Sequence, residues 1–292
     1  MERVKVPKFL HSTNSSPSIN LSSPSAFKTF SSSSPNQPIS HIPKIIHQTW
    51  KTTIVPDDWK ESESEYKRLF PTWEYKLWTD EAMKEFMEKE FNWFMPIYNN
   101  YPLNIQRCDA FRYFVLYKMG GLYSDLDIVP TSNFEWFFED TNSEVFLAKT
   151  ENIDSTTNCI MASKAGARFW EHTFEWLIKR YYENGWYHKL CYFNITHFNV
   201  IFSTGPQLVT AAVRTYHRPI TYFPKNIISQ NMTNPKMKDN TYTKALYGRS
   251  WNRWDSHTIS FIYINRYFFY FTYYMTIIYF AYMYMVGKNR CD

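Results

Sequence analysis

Apolar and polar positions divide the chain into three stretches. Residues 12–40 carry 12 serines and four prolines among few apolar side chains, too little burial to offset the entropy of fixing a backbone. Residues 1–40 therefore read as a disordered Ser/Pro-rich tail. From Ile42 onward the pattern becomes periodic. Pro43–Trp50, PKIIHQTW, reads as a short strand, and Trp73–Trp78, WEYKLW, alternates with the period of two of a half-buried strand. Thr79 or Asp80 then caps a helix that runs to Phe91. The next segment, Ile105 to Met119, places apolar side chains at 105, 111, 114, 115, 116 and 119, and it closes on Gly120, where a helix C-terminus favours glycine. The strand Leu122–Val129 follows at once and Pro130 ends it. Further helices fit 165–182 and 206–216, whereas 191–203 and 220–256 show no regular period.

Strand, helix, strand, helix, strand is the rhythm of an α/β fold with helices on a mostly parallel mixed sheet. We place that domain at 41–256 and assign 257–292 to an aromatic apolar tail. Within the tail, Tyr267–Val286 is 20 residues without a charge, bounded by Arg266 and Lys288. That length spans a bilayer as a helix, while its seven tyrosines favour the membrane interface. The expectation is a transmembrane or membrane-associated helix.

Composition narrows the chemistry. Only 7 glycines occur in 292 residues, against about 20 at average usage. None stand as GxG and none precede a lysine in a GxxxxGK frame, so both common glycine phosphate loops are absent. A bound nucleotide has to be held in another way. Net charge is +5, of which residues 1–40 supply +3, and such a balance gives no support to nucleic-acid binding. Cys108, Cys159, Cys191 and Cys291 stand far apart with no metal-ligand spacing, which argues against zinc and leaves disulfides open.

The densest constellation is Arg107, Asp109 and Arg112, followed by GGLYSDLD at 120–127. Asp109 and Arg112, three apart on a helix, share a face. On a continuing strand Asp125 and Asp127 would lie on one side, about 7 Å apart. Paired carboxylates at a strand end sit where α/β sheets bind ligands, and their hard oxygens suit manganese or magnesium shared with substrate phosphates. His47 lies inside a strand and reads as a satisfied core residue.

The run RCDAFRYFVLYKMGGLYSDLDIVP at 107–130, preceded by IPKIIHQTW and WEYKLWTDE, resembles glycosyltransferase family 32, the DxD sugar-binding-region group. Two later pieces fit the same family: Thr204-Gly205-Pro206, and Gly248-Arg249-Ser250-Trp251 followed by Asp255. The resemblance implies a GT-A fold, a nucleotide-sugar donor, a divalent metal and retention of anomeric configuration. It implies Asp127 as direct metal ligand, with Asp125 holding the ribose and the metal's water shell. Asp109 and Arg112, with Arg107 beside them, would bind the donor sugar. Ser250 and Trp251 would close over the diphosphate, with Ser250 completing the metal shell, and Trp50 would stack on the nucleobase. One departure is Ala245, where the family's lipid mannosyltransferases carry a histidine shortly before Gly-x-Ser-Trp.

The expected activity is transfer of mannose from GDP-mannose to a lipid or glycan acceptor, with inositol phosphoceramide favoured. It would take place on the Golgi or another endomembrane, with a regulatory subunit as a further partner. Sequons at Asn14, Asn20, Asn194 and Asn231 would be usable in a secretory lumen. Three other readings stay open: a UDP-hexose donor, a haloacid-dehalogenase-type phosphatase with Asp125 as nucleophile, and a non-catalytic membrane partner.

Overall fold

The structure is a computed structural model, and it describes residues 41–139, 143–150, 155–183, 185–189, 196–224, 227, 241–246, 258, 261, 265 and 270–280. The strands are β1 (Ile45–Thr49), β2 (Glu74–Trp78), β3 (Gly121–Ser124), β4 (Ile128–Pro130), β5 (Val145–Lys149), β6 (Thr156–Ser163), β7 (Thr221–Tyr222) and β8 (Thr243–Ala245). The helices are α1 (Asp57–Leu69), α2 (Asp80–Glu90), α3 (Met95–Tyr98), α4 (Asn104–Met119), α5 (Arg168–Glu183), α6 (Trp186–Lys189), α7 (His197–Ser203) and α8 (Pro206–Thr215).

Six strands form one sheet in the order β2-β1-β3-β6-β5-β7, and β4 pairs with β8 in a second, two-stranded sheet. In the large sheet β1 runs parallel to β2 and β3, and β5 runs parallel to β7. Among its described strands β6 alone is reversed, antiparallel to β3 on one side and β5 on the other. This is the α/β fold with a mostly parallel mixed sheet that the sequence implied. The β5–β6 register jumps from Leu147↔Met161 to Ala148↔Thr157, so residues 158–160 of β6 have no partner on β5.

Side-chain alternation splits the core between the two faces. Tyr123, Val145, Leu147 and Met161 pack with α2, α4, α5 and α8, while Ile46, Leu122, Phe146, Ile160 and Ala162 pack with Tyr66 and Phe70 of α1. Helix α4 is buried on most of its circumference, from Ala110 through Leu116. Its Phe114 stacks on Phe174 of α5 at 4.0 Å and 7°.

The corner from α4 into β3 depends on two glycines. Gly120 has φ 65° and Gly121 φ 95°, a region that side chains disfavour. A Cβ on Gly121 would lie 2.4 Å from Ile45 O, and one on Gly120 would lie 2.7 Å from Ala165 N. His47 braces the same corner. Its Nε2–H donates to Gly120 O at 2.9 Å and its Nδ1 accepts from Trp78 Nε1 at 3.1 Å. Burial pushes this imidazole down to about 4, so it is the neutral core residue that the sequence implied.

Several expectations need correction. The stretch Leu122–Val129 is not one strand: β3 ends at Ser124, Asp125–Asp127 turn, and Ile128 begins β4 in the other sheet. Part of 191–203 is regular, as α7, and 220–256 contributes β7 and β8. Helix α1 lacked an apolar period because its outer faces are charged: Lys67 pairs with Glu63 and Arg68 with Glu65, and only Ser62 and Tyr66 are buried. Among the described residues no helix is long and apolar enough to cross a membrane. Of 267–286 only 270–280 is described, as a helix whose Tyr270, Phe271, Tyr273, Tyr274, Ile278 and Phe280 are exposed. The tail 1–40, Gly248, Ser250 and Trp251 lie outside the described residues.

Candidate active site

The site lies where β1 and β3 end and reversed β6 begins, so three strands deliver side chains to one edge of the sheet. Asp125-Leu126-Asp127 forms a tight turn closed by Ile128 N–H donating to Asp125 O at 3.0 Å. The turn is pinned on both flanks: Asp125 N–H donates to Cys159 O of β6 at 2.7 Å, and Leu246 N–H, one residue past β8, donates to Asp127 O at 2.7 Å. Both carboxylates are half-buried.

Arg112 organises the charges. Projecting from α4, it reaches Asp109 Oδ1 through Nη2 at 3.0 Å and Asp125 Oδ1 through Nη1 at 3.1 Å. Nη1 also donates to Asn158 O at 2.7 Å. The guanidinium lies over the Tyr123 ring, 4.7 Å from its centroid, an arrangement that favours the cation. Burial pushes the Tyr123 phenol well above its ordinary value. It therefore stays protonated and donates to Asp125 Oδ1 at 2.9 Å, with Thr49 Oγ1 3.2 Å away on its other side.

Asp109 is sealed in. Its Oδ1 accepts from Asn158 Nδ2 at 3.0 Å and its Oδ2 from Thr204 Oγ1 at 3.0 Å, in addition to Arg112. Burial raises its carboxyl to about 6, with Arg112, Thr204 and Asn158 pulling the other way and Asp125 adding to the rise. Tyr113 ties the cluster together: its OH donates to Thr204 O at 2.7 Å and accepts from Asn158 Nδ2 at 3.1 Å.

The structure thus joins Asp109, Arg112 and Asp125 in one chain of ion pairs and sets Asp127 across the same turn. Arg107 faces the start of α4 instead, donating to Tyr101 O at 2.6 Å and Asn104 Oδ1 at 3.1 Å. Trp50 follows β1 directly, half-buried, its ring edge-on to Trp59 at 4.6 Å and 88°. Tyr123 and Asn158 were not singled out from the sequence as site residues, and Thr204 stood out only as part of the Thr-Gly-Pro piece, without a role of its own. Tyr123 could have been, being two residues before Asp125 on an alternating strand. Asn158 gave no signal, because β6 itself was not foreseen.

Among the described residues no three His, Cys, Asp or Glu side chains gather as a metal cluster. Two carboxylates on one turn suffice for an ion that completes its shell with water and phosphate oxygens. Asp125 keeps Oδ2 outside its contacts with Arg112 and Tyr123. The donor set therefore fits magnesium or manganese, which Asp125 and Asp127 would hold.

Residues 56–147 match the family described as glycosyltransferase sugar-binding region containing DXD motif. Inositol phosphoceramide mannosyltransferase 2 of Schizosaccharomyces pombe is 32% identical over 256 residues, covering 86% of this chain and 69% of that protein. Inositol phosphoceramide mannosyltransferase 3 of the same yeast is 53% identical over 87 residues, 30% of this chain and 24% of that protein. A mannosyl phosphorylinositol ceramide synthase of Saccharomyces cerevisiae is 35% identical over 191 residues, 63% of this chain and 44% of that one. The chain thus spans less than two thirds of the length of the latter two. With the DxD turn, its paired arginine and this similarity along most of the chain, the protein belongs to glycosyltransferase family 32, the DXD sugar-binding-region family.

Proposed function

We propose that the protein is a metal-dependent, retaining glycosyltransferase of GT-A fold that moves mannose from GDP-mannose to inositol phosphoceramide. The observation that carries this reading is the Asp109–Arg112–Asp125 chain of ion pairs beside Asp127, at the end of β3. Asp127 and Asp125 would hold a divalent ion, which when bound would supply Lewis-acid charge for the departing diphosphate. Arg112, fixed on three acceptors, orients Asp125 against the donor and opposes the upward shift that burial gives its carboxyl. Asp109, buried on the same helix face, holds Arg112 in place beside the donor-sugar site. Trp50 supplies the surface on which the nucleobase stacks. Ser250 and Trp251 begin four residues beyond Leu246, which is bonded to Asp127 O, and that short tether supports their role in closing over the diphosphate. With no second carboxylate assigned as nucleophile, the acceptor hydroxyl attacks on the leaving-group face, the protein chiefly positioning both.

The relatives named as acting on inositol phosphoceramide support the acceptor, and the exposed aromatic helix at 270–280 supports work at an endomembrane such as the Golgi. A regulatory subunit belongs to the same proposal. Tests start from purified protein, a panel of GDP- and UDP-sugars, manganese, and inositol phosphoceramide in mixed micelles, with products identified by mass spectrometry. Mannosylated lipid formed only with GDP-mannose and metal is the expected result. Transfer from a UDP-hexose, or phosphate release from simple phosphomonoesters, overturns it. Asp127→Ala should lower transfer by about 100-fold or more, since metal charge stabilisation is worth several kcal/mol, without lowering the melting temperature. Near wild-type turnover in that variant removes Asp127 from the site.

A further inference from the structure

Behind the DxD turn, on the α1 side of the sheet, lies a buried polar relay that none of the site chemistry uses. Its centre is Gln48 of β1, fully buried between the sheet and α1. The side-chain amide has three partners: Nε2 donates to Ser62 Oγ at 2.9 Å and to Asp125 O at 3.3 Å, and Oε1 accepts from Tyr75 OH at 2.8 Å. Asp125 O can only accept and Tyr75 is a protonated phenol, so the amide orientation is fixed by its neighbours. Ser62 passes the contact on, its Oγ–H donating to Ile128 O at 2.7 Å. A second strut comes from Tyr66, which donates to Ser124 Oγ at 2.8 Å, while Ser124 Oγ lies 3.3 Å from Asp125 O.

The relay touches the first and last residues of the turn. Gln48 grips Asp125 O directly and Ile128 O through Ser62, and these carbonyls bracket the two carboxylates. A stretch whose ends are both fixed from behind holds its side chains at a set spacing before any ligand arrives. Burying Gln48, Ser62, Tyr66 and Ser124 with no ligand role is costly unless each is paired, and here each is. Charged helix α1 turns inward mainly at Ser62 and Tyr66, the two residues that serve this relay.

We infer that Gln48, acting through Ser62, is a positioning residue that sets the separation of the Asp125 and Asp127 carboxylates and so governs divalent-cation affinity without touching cation or donor. This rests on the metal site proposed above. Groups that orient metal ligands from behind typically alter affinity by about 10- to 100-fold.

The decisive measurement is Mn2+ binding to the nucleotide-free protein, followed by electron paramagnetic resonance, alongside transfer rates over a manganese titration. Gln48→Met keeps side-chain length and removes all three contacts. It should weaken Mn2+ binding about 10-fold or more, while saturating manganese restores the wild-type rate and leaves the KM for donor unchanged. Ser62→Ala, which removes the link to Ile128 O and one of the three Gln48 contacts, should shift affinity the same way by less, and it serves if Gln48→Met does not fold. Unchanged Mn2+ affinity in a folded Gln48→Met protein, or lost activity that manganese fails to restore, overturns the inference alone. If the wild-type protein binds no Mn2+ and Asp127→Ala behaves identically, the metal reading itself falls, and the inference with it.

Discussion

At the residue scale, Asp109 is more completely enclosed than its sequence position implied. Spacing alone put Asp109 and Arg112 on one helix face, and they are there. The sequence did not reveal that Asp109 is sealed by Thr204 and Asn158, because those partners arrive from 95 and 49 residues further along the chain. The consequence is measurable through pH. Its folded carboxyl titrates at about 6, above the ordinary value, so it takes up a proton as pH falls through that value. Arg112 then loses the charge of one carboxylate partner, and kcat/KM should fall on the acid side with a midpoint near 6. The charged groups facing Asp109 are Arg112 on its own helix and Asp125 from the turn; Thr204 and Asn158 face it as hydrogen-bond donors. Because the folded pKa is the higher one, stability contributed by this group runs opposite to activity: its burial penalises the fold above pH 6, and the penalty fades toward pH 4. Asp109→Asn should flatten the acid limb and lower the plateau, and a limb that persists unchanged assigns it to another group.

At the element scale, what was legible followed from local chemistry. Thr79 caps α2 with its side chain accepting from Ala82 N–H at 3.1 Å, as the Thr-Asp pair implied, and Gly120 ends α4. What was not legible depended on tertiary context. The alternation around Asp125 looked like continuing strand, yet β6 holds Asp125 N–H from one side and β8 holds Asp127 O from the other, and the chain turns between them. Helix α1 escaped because its stability comes from exposed ion pairs and two inward residues rather than an apolar stripe, and β5 and β6 were not foreseen at all. The α4–β3 corner gives a direct test. Gly121→Ala would force φ 95° on a side chain and a Cβ onto Ile45 O, so the protein should lose at least about 2 kcal/mol in a denaturant titration. A loss below about 0.5 kcal/mol would mean that the corner relaxes.

At the scale of the whole molecule, the sheet, its two cores and the DxD turn form the body on which the family resemblance rests, and 270–280 stands apart in character. That helix exposes aromatic and aliphatic side chains around its circumference, including Phe271 at 63% and Phe280 at 65%. Exposed surface of this kind marks an interaction with membrane or protein, and its tyrosines suit a bilayer interface. Purified full-length protein should float with phospholipid vesicles, and replacing Phe271, Ile278 and Phe280 with serine should leave it in the dense fraction. Flotation unaffected by those changes places the lipid contact elsewhere. The large sheet also gives up a ladder beside the DxD turn. At residues 158–160 β6 leaves β5, and of these three only Ile160 keeps a register partner on β3. The stretch is held by the site instead: Cys159 O accepts from Asp125 N–H, Asn158 O from Arg112, and Asn158 Nδ2 donates to Asp109. A segment that would ordinarily serve the sheet is thereby lent to the ion-pair chain, so lengthening or shortening β6 there should disturb Asp109 and Asp125 before it disturbs the core.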